Sequence, residues 1–200
     1  MAALPHPRLE EAAQRARLLE AVREKSLELG IPSIDPSDGY VLYTAARIVA
    51  ELHPEGLVAV DAGAGIGYST LWIAMGLLDA GCRGCRLYAV EKEPALYGGL
   101  LETLRSAAWA GDVVEPVEGD ALGELRRHGR LHLVFIDVEK HQYPETVGVV
   151  AERLAPGSAA LWHNAFFPPP PARFYSLLDR SGLSWGVAPT PAGMVVAWRP

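Results

Sequence analysis

At 200 residues, half of them hydrophobic and 21% charged, the chain has the length and make-up of one soluble globular domain with a sizeable core. A net charge of −6 argues against a general binder of nucleic-acid phosphates, and no apolar run reaches the length of a membrane span. Met1 to Arg8 lacks the charged-then-apolar layout of a leader peptide, so the cytoplasm is the expected location.

In chain order, apolar residues at helical spacing (Leu9, Ala12, Ala16, Leu19, Val22, Leu29) predict a helix over 8–29, stopped by Gly30-Ile31-Pro32. Ser37 or Asp38 is the expected cap of a second helix carrying Val41, Leu42, Ala45, Ile48 and Val49. Strands and helices then alternate. Strands are expected at 57–61, 86–91, 113–117, 131–137 and 158–163, and helices at 68–79, 94–109, 121–127, 143–154 and 171–181. The run Leu131-His132-Leu133-Val134-Phe135-Ile136 is almost continuously apolar, as in a strand covered on both faces. Two further strands, 183–187 and 194–198, flank Pro189-Thr190-Pro191-Ala192-Gly193 and read as a hairpin. The pattern implies a single α/β domain over 1–200. It is a doubly wound, Rossmann-like, mostly parallel seven-stranded sheet with one antiparallel strand, helices on both faces, and N-terminal helices over 8–53 ahead of the first strand. Cys82 and Cys85 bracket what reads as a turn before a strand, with a redox disulfide as the alternative. The basic stretch Arg126-Arg127-His128-Gly129-Arg130 reads as a solvated loop.

Ligands of such sheets bind outside the carboxyl ends of the strands, so the residues closing each strand carry the functional information. The first strand runs into Asp61, then Gly63, Ala64, Gly65, Gly67, Tyr68 and Ser69 at the start of a helix. Alternating glycines let backbone approach a ligand, and the helix start offers its amides to a carboxylate or phosphate. Asp61 would repel a diphosphate but attract an ammonium group. S-adenosylmethionine carries one on its amino-acid tail, and nicotinamide dinucleotides do not. Ser69 is a candidate partner for the carboxylate of that tail. Glu91, closing the second strand beside Lys92, suits a ribose diol. Gly119, Asp120 and Ala121 follow the third strand, where an acid can meet an adenine amino group or simply cap a helix. The fourth strand ends at Asp137, with Lys140 three residues on, and the fifth at His163-Asn164. A carboxylate and a carboxamide oxygen on neighbouring strand ends suit a divalent cation. A helix cap and a core histidine are the plainer alternatives.

Together these segments resemble the cation-dependent O-methyltransferases, the catechol and caffeoyl-coenzyme A group, from about Ile34 to the end. Gly39, the turn from Asp61 to Ser69, Glu91, Gly119 to Ala121, and Phe135 to Lys140 followed by Tyr143 carry the likeness. The resemblance implies S-adenosylmethionine as methyl donor, held by Asp61 to Ser69, Glu91, Lys92, Gly119 to Ala121 and Asp137. It implies a small aromatic hydroxyl as acceptor, Lys140 as proton acceptor, a divalent cation such as magnesium or manganese on Asp137 and Asn164, and a homodimer. One position departs from the pattern: the family closes the fifth strand with Asp-Asn, and this chain has His163-Asn164. An anionic oxygen becomes an imidazole. Position 163 then serves a softer metal, or no metal, or acts itself as the base. The Phe166-Phe167-Pro168-Pro169-Pro170-Pro171 segment is expected to be a stiff surface loop or one wall of an aromatic pocket. A nicotinamide oxidoreductase and a tRNA-modifying methyltransferase of the same fold are the rival functions. The first predicts Gly-x-Gly-x-x-Gly where this chain has Gly63-x-Gly65-x-Gly67, and the net charge of −6 disfavours the second.

Overall fold

A computed structural model describes residues 6–200. Most of the expectation for Met1 to Arg8 therefore lies outside the described residues. Seven strands form one sheet: β1 (Val58–Ala62), β2 (Arg86–Glu91), β3 (Val114–Glu118), β4 (Leu131–Ile136), β5 (Leu154–His163), β6 (Ser184–Ala188) and β7 (Met194–Arg199). Their order is β3-β2-β1-β4-β5-β7-β6, with β7 antiparallel to both neighbours and every other pairing parallel. Helices α1 (Pro7–Glu28), α2 (Pro36–Leu52), α3 (Tyr68–Asp79), α4 (Pro94–Ser106), α5 (Ala121–Arg127), α6 (Tyr143–Arg153) and α7 (Ala172–Arg180) cover both faces. No helix among the described residues is long and apolar enough to cross a membrane.

The period-2 alternation of a strand feeds two cores. Ala59, Leu133, Phe135 and Leu161 join Leu42, Leu71, Ile73 and Leu100 on one face. Val60, Val134, Ile136 and Trp162 join Leu125, Val147, Val150 and Phe174 on the other. A strand covered on both sides is apolar at nearly every position, which explains the run in β4, buried throughout and interrupted only by His132, whose Nδ1 accepts from Val58 N.

Several boundaries differ from the sequence expectation. The cap of α2 is Asp35, whose side chain accepts from Ser37 N, while Asp38 reaches back to Asp35 N at 3.1 Å. This reciprocal box displaces Ser37 and Asp38 from the expected cap position. The helix expected over 94–109 ends at Ser106, and Ala108–Ala110 form a separate short turn. Strand β5 starts at Leu154 rather than 158, with a register shift opposite Leu131 to Leu133 that absorbs Pro156 and Gly157. Cys82 and Cys85 are joined as a disulfide across the turn that leads into β2, so the turn and the bond coexist.

Candidate functional site

The strand order reverses between β1 and β4, and the crevice of a doubly wound sheet opens at that point. The turn after β1 is stitched to β2 by Gly63 N and Ala64 N, which both donate to Val90 O at 3.0 and 2.9 Å. Asp137 N donates to Ala62 O at 2.9 Å, which fixes the end of β4 beside the same turn. The three glycines of the turn do different jobs. A Cβ on Gly63 would stand 2.4 Å from Asp137 O, so this position is set by backbone packing. A Cβ on Gly65 would meet nothing within 4 Å; this glycine keeps open space open. Gly67 begins α3 with no side chain capping the helix, so the first amides of α3 are left for a ligand.

Two hollows share Ile31, Pro32, Gly63, Gly65 and Asp137. One, of about 390 Å³, runs past Glu91, Lys92, Gly119, Asp120 and Ala121 to Val138 and Gln142. The other, about 30 Å³, lies over Ala64, Tyr68 and Ser69, under the Ile31–Ile34 connection between α1 and α2. A hollow of about 740 Å³ among α1, α2 and α3, floored by Trp72 and Met75, lies away from the strand ends. It shares no lining residue with the cleft described here. The expected cofactor residues on the β1, β2 and β3 ends line these two adjoining hollows, with two exceptions: Gly67 lines neither, and Asp61 is fully buried beneath them.

Asp61 Oδ2 accepts from Ser69 Oγ at 2.8 Å and Thr70 Oγ1 at 2.6 Å, while Oδ1 is buried with no partner. Burial pushes its carboxyl up to about 6, against the two hydroxyl donors. A buried, bare carboxylate oxygen is costly, and an ammonium group is the kind of partner that would relieve it. Ser69 spends its hydroxyl on Asp61. Glu91 lies at the cleft edge with Oε2 on Gly65 N at 2.8 Å and Oε1 on Glu93 N at 2.9 Å. Each oxygen keeps a second lone pair for a diol. Asp120 caps α5 by accepting from Gly123 N at 2.6 Å. Lys92 pairs with Glu139 across the rim of the cleft.

The ends of β4 and β5 carry a chain of charges. His163 Nδ1 is 3.1 Å from Asp137 Oδ2, and Nε2 is 3.2 Å from Asp38 Oδ2. Lys140 Nζ donates to Asp137 Oδ1 at 3.2 Å and to Tyr143 Oη at 2.7 Å. Burial alone would lower the His163 imidazole, but the hydrogen bonds and charges of Asp137 and Asp38 outweigh it and raise it to about 9. Burial likewise opposes ionisation of Asp137 and Asp38, yet His163 holds both below the usual carboxylate range, with Lys140 adding to the effect on Asp137. Burial holds Lys140 below the ordinary ammonium range, against the pull of Asp137.

The residues expected as metal ligands do not fit a hard divalent cation in this arrangement. Both Asp137 oxygens already face cationic donors, and both His163 nitrogens face carboxylates. The Asn164 amide donates to Phe167 O at 3.0 Å, with its backbone in the left-handed region at φ 59°. Among the described residues no three His, Cys, Asp or Glu side chains are placed to share an ion. With both ring nitrogens engaged, His163 has no free lone pair for an acceptor proton. The Phe166–Pro171 segment is pinned to the β6–β7 turn, with Ala165 N and Phe166 N donating to Gly193 O and Ala192 O at 2.8 and 2.9 Å. Phe167 is 80% exposed.

Sequence reasoning passed over Asp38 and Thr70. Thr70 stands one residue beyond the turn, where a hydroxyl beside Ser69 could have been weighed as a second donor to Asp61. Asp38 was visible only as a helix-start acid, because its partner lies 125 residues further on.

A family model described as a methyltransferase domain matches residues 60–165. A protein of Mycobacterium sp. (strain JLS), named an O-methyltransferase by inference only, is 26% identical over 158 residues, covering 78% of this chain and 68% of its own length. The Bacillus cereus O-methyltransferase in complex with S-adenosylhomocysteine superposes with a TM-score of 0.76 at 21% identity, over 92% of this chain and 91% of that one. The O-methyltransferase TomG of Streptomyces achromogenes, in complex with S-adenosylmethionine, gives 0.71 at 21% identity, over 91% and 89%. These two structures share the fold.

Proposed function

The chain belongs to the methyltransferase-domain family, and from that membership we propose that it transfers a methyl group from S-adenosylmethionine to the hydroxyl oxygen of a small aromatic, catechol-like acceptor. The observation that carries this is the cleft at the β1–β4 switch point, with Glu91 in its wall and the bare Oδ1 of Asp61 buried beneath the glycine turn that lines it. An amine-seeking acid under the turn and a diol-seeking acid in the groove wall suit an amino-acid tail joined to a nucleoside. The oxygen acceptor is supported by the description of the mycobacterial relative.

S-adenosylmethionine supplies the methyl group: the sulfur–methyl bond breaks with its electron pair left on sulfur as the new carbon–oxygen bond forms. The chain's own residues do the rest. Asp61 holds the ammonium, the open first turn of α3 receives the carboxylate, and Glu91 orients the ribose. Lys140 takes the acceptor's hydroxyl proton in its neutral form, which burial makes more accessible. Positioning of this kind is worth roughly 7–11 kcal/mol when the reacting atoms are well aligned.

Thermal unfolding in the presence of S-adenosylmethionine or NAD, followed by labelled-methyl transfer to a catechol panel and to total tRNA, tests the proposal. Stabilisation by S-adenosylmethionine and label on a catechol are expected. Stabilisation by NAD alone, or label on tRNA alone, overturns it.

A further inference from the structure

The departure at position 163 has a structural consequence. His163, at the end of β5, lies between two carboxylates from different elements, Asp137 at the end of β4 and Asp38 in the first turn of α2. Asp38 is fully buried, and the His163 side chain is 7% exposed. Two carboxylates brought this close, one of them wholly buried and the other with its side chain 24% exposed, call for a positive partner between them. A divalent cation could supply it. Here the ring occupies that place, with a carboxylate oxygen within hydrogen-bond reach of each nitrogen. Lys140 covers the remaining oxygen of Asp137. An ion entering this centre would have to displace a buried ring and break an ion pair. It would then find an imidazole where magnesium and manganese prefer oxygen.

We propose that the methyltransferase centre of this chain works without a divalent cation, with the His163 ring taking the charge-balancing place between Asp38 and Asp137. The inference rests on the methyltransferase function proposed above. His163 is a positioning residue: it fixes Asp137, which lines the cleft, and through Asp137 the side chain of Lys140. Substitution of His163 by an acid removes the cation and adds an oxygen donor beside Asp137 and Asn164. The same scaffold then becomes one that recruits a metal.

Manganese binding to the full chain, read by electron paramagnetic resonance and by the shift in unfolding temperature, tests this, with calorimetric S-adenosylmethionine binding run with and without EDTA. The wild-type chain is expected to show no stoichiometric manganese at about 100 µM added metal, a concentration above the dissociation constants of sensor-type sites for hard cations. Its unfolding temperature and its affinity for S-adenosylmethionine are expected to be unchanged by EDTA. His163→Asp is expected to gain manganese binding and a metal-dependent rise in unfolding temperature. Stoichiometric manganese on the wild-type chain, or loss of cofactor affinity on chelation, overturns the inference. Should His163→Asp fail to fold, the wild-type titration decides alone. Absence of any S-adenosylmethionine binding, with or without EDTA, is a separate outcome that strikes the proposed function itself.

Discussion

Thr70 Oγ1 donates to Asp61 Oδ2 at 2.6 Å, and with Ser69 Oγ on the same oxygen the carboxylate is turned so that Oδ1 stays buried and bare. Two hydroxyls from the first turn of α3 thus aim the acid. The arrangement ties the helix that presents its amides to the acid that would receive an ammonium.

Replacement of Asp61 by Asn keeps an oxygen for Ser69 and Thr70 but puts an amide donor where the ammonium is proposed to sit. The loss expected is that of a charge-assisted hydrogen bond, about 1.5–3 kcal/mol, or roughly 10- to 100-fold in the dissociation constant of S-adenosylmethionine. The cofactor-free variant should be more stable than the wild type at pH 7. A carboxyl raised to about 6 by burial contributes stability below the ordinary carboxylate range and loses it as pH rises through 6. Relief of that cost is worth up to about 3 kcal/mol. Calorimetry and urea unfolding check the two halves; a variant that loses both stability and affinity would contradict them.

The same carboxyl sets a pH dependence for binding. An ammonium ligand favours ionised Asp61, so cofactor affinity should fall as pH drops from 7 to 5, through the midpoint near 6, and level off above 7. In Asp61→Asn that slope should vanish. Titrations at four pH values suffice to see it.

Gly63 and Gly65 should separate fold from function. Gly63→Ala drives a Cβ into Asp137 O and should unfold the chain several degrees earlier. Gly65→Ala meets open space and carries only the left-handed backbone cost, about 1–2 kcal/mol, yet places a methyl group in the cleft. Its fold should survive while cofactor affinity drops at least tenfold. Equal behaviour of the two variants would contradict the division of labour in the turn.

His132 provides a stability test away from the cleft. Its Nδ1 accepts from Val58 N at 3.0 Å, and burial, helped by His53 and Arg130, lowers the ring to about 4. A base held neutral by the fold contributes stability that is present above about pH 6.5 and lost as pH falls toward 4. The full effect is about 3 kcal/mol. The stability difference between wild type and His132→Asn should shrink over that window, as read by urea unfolding at pH 7, 5.5 and 4.5.

The alternation of strand and helix was legible because a doubly covered strand is largely apolar, and β4 announces that in five apolar residues of six, with His132 between Leu131 and Leu133. The cleft was legible because glycine spacing and strand-end acids are local in sequence. The start of β5 was not: Pro156-Gly157 looks like a turn, and only its pairing with β4 turns it into an irregularity inside a strand. The Asp38–His163–Asp137–Lys140 chain was half legible. Asp137 and Lys140 are three residues apart, but the placement of Asp38 depends on how α2 packs over the sheet. The imidazole therefore read as a candidate ligand or base, where the structure has it between two acids.

The most direct test of the central claim is the structure of this chain soaked with S-adenosylhomocysteine, which keeps the amino-acid tail and the ribose. The account predicts the α-ammonium within hydrogen-bond distance of Asp61 Oδ1 and the ribose hydroxyls on Glu91. An empty cleft, or a bound product whose amino-acid tail points away from Asp61, would contradict it.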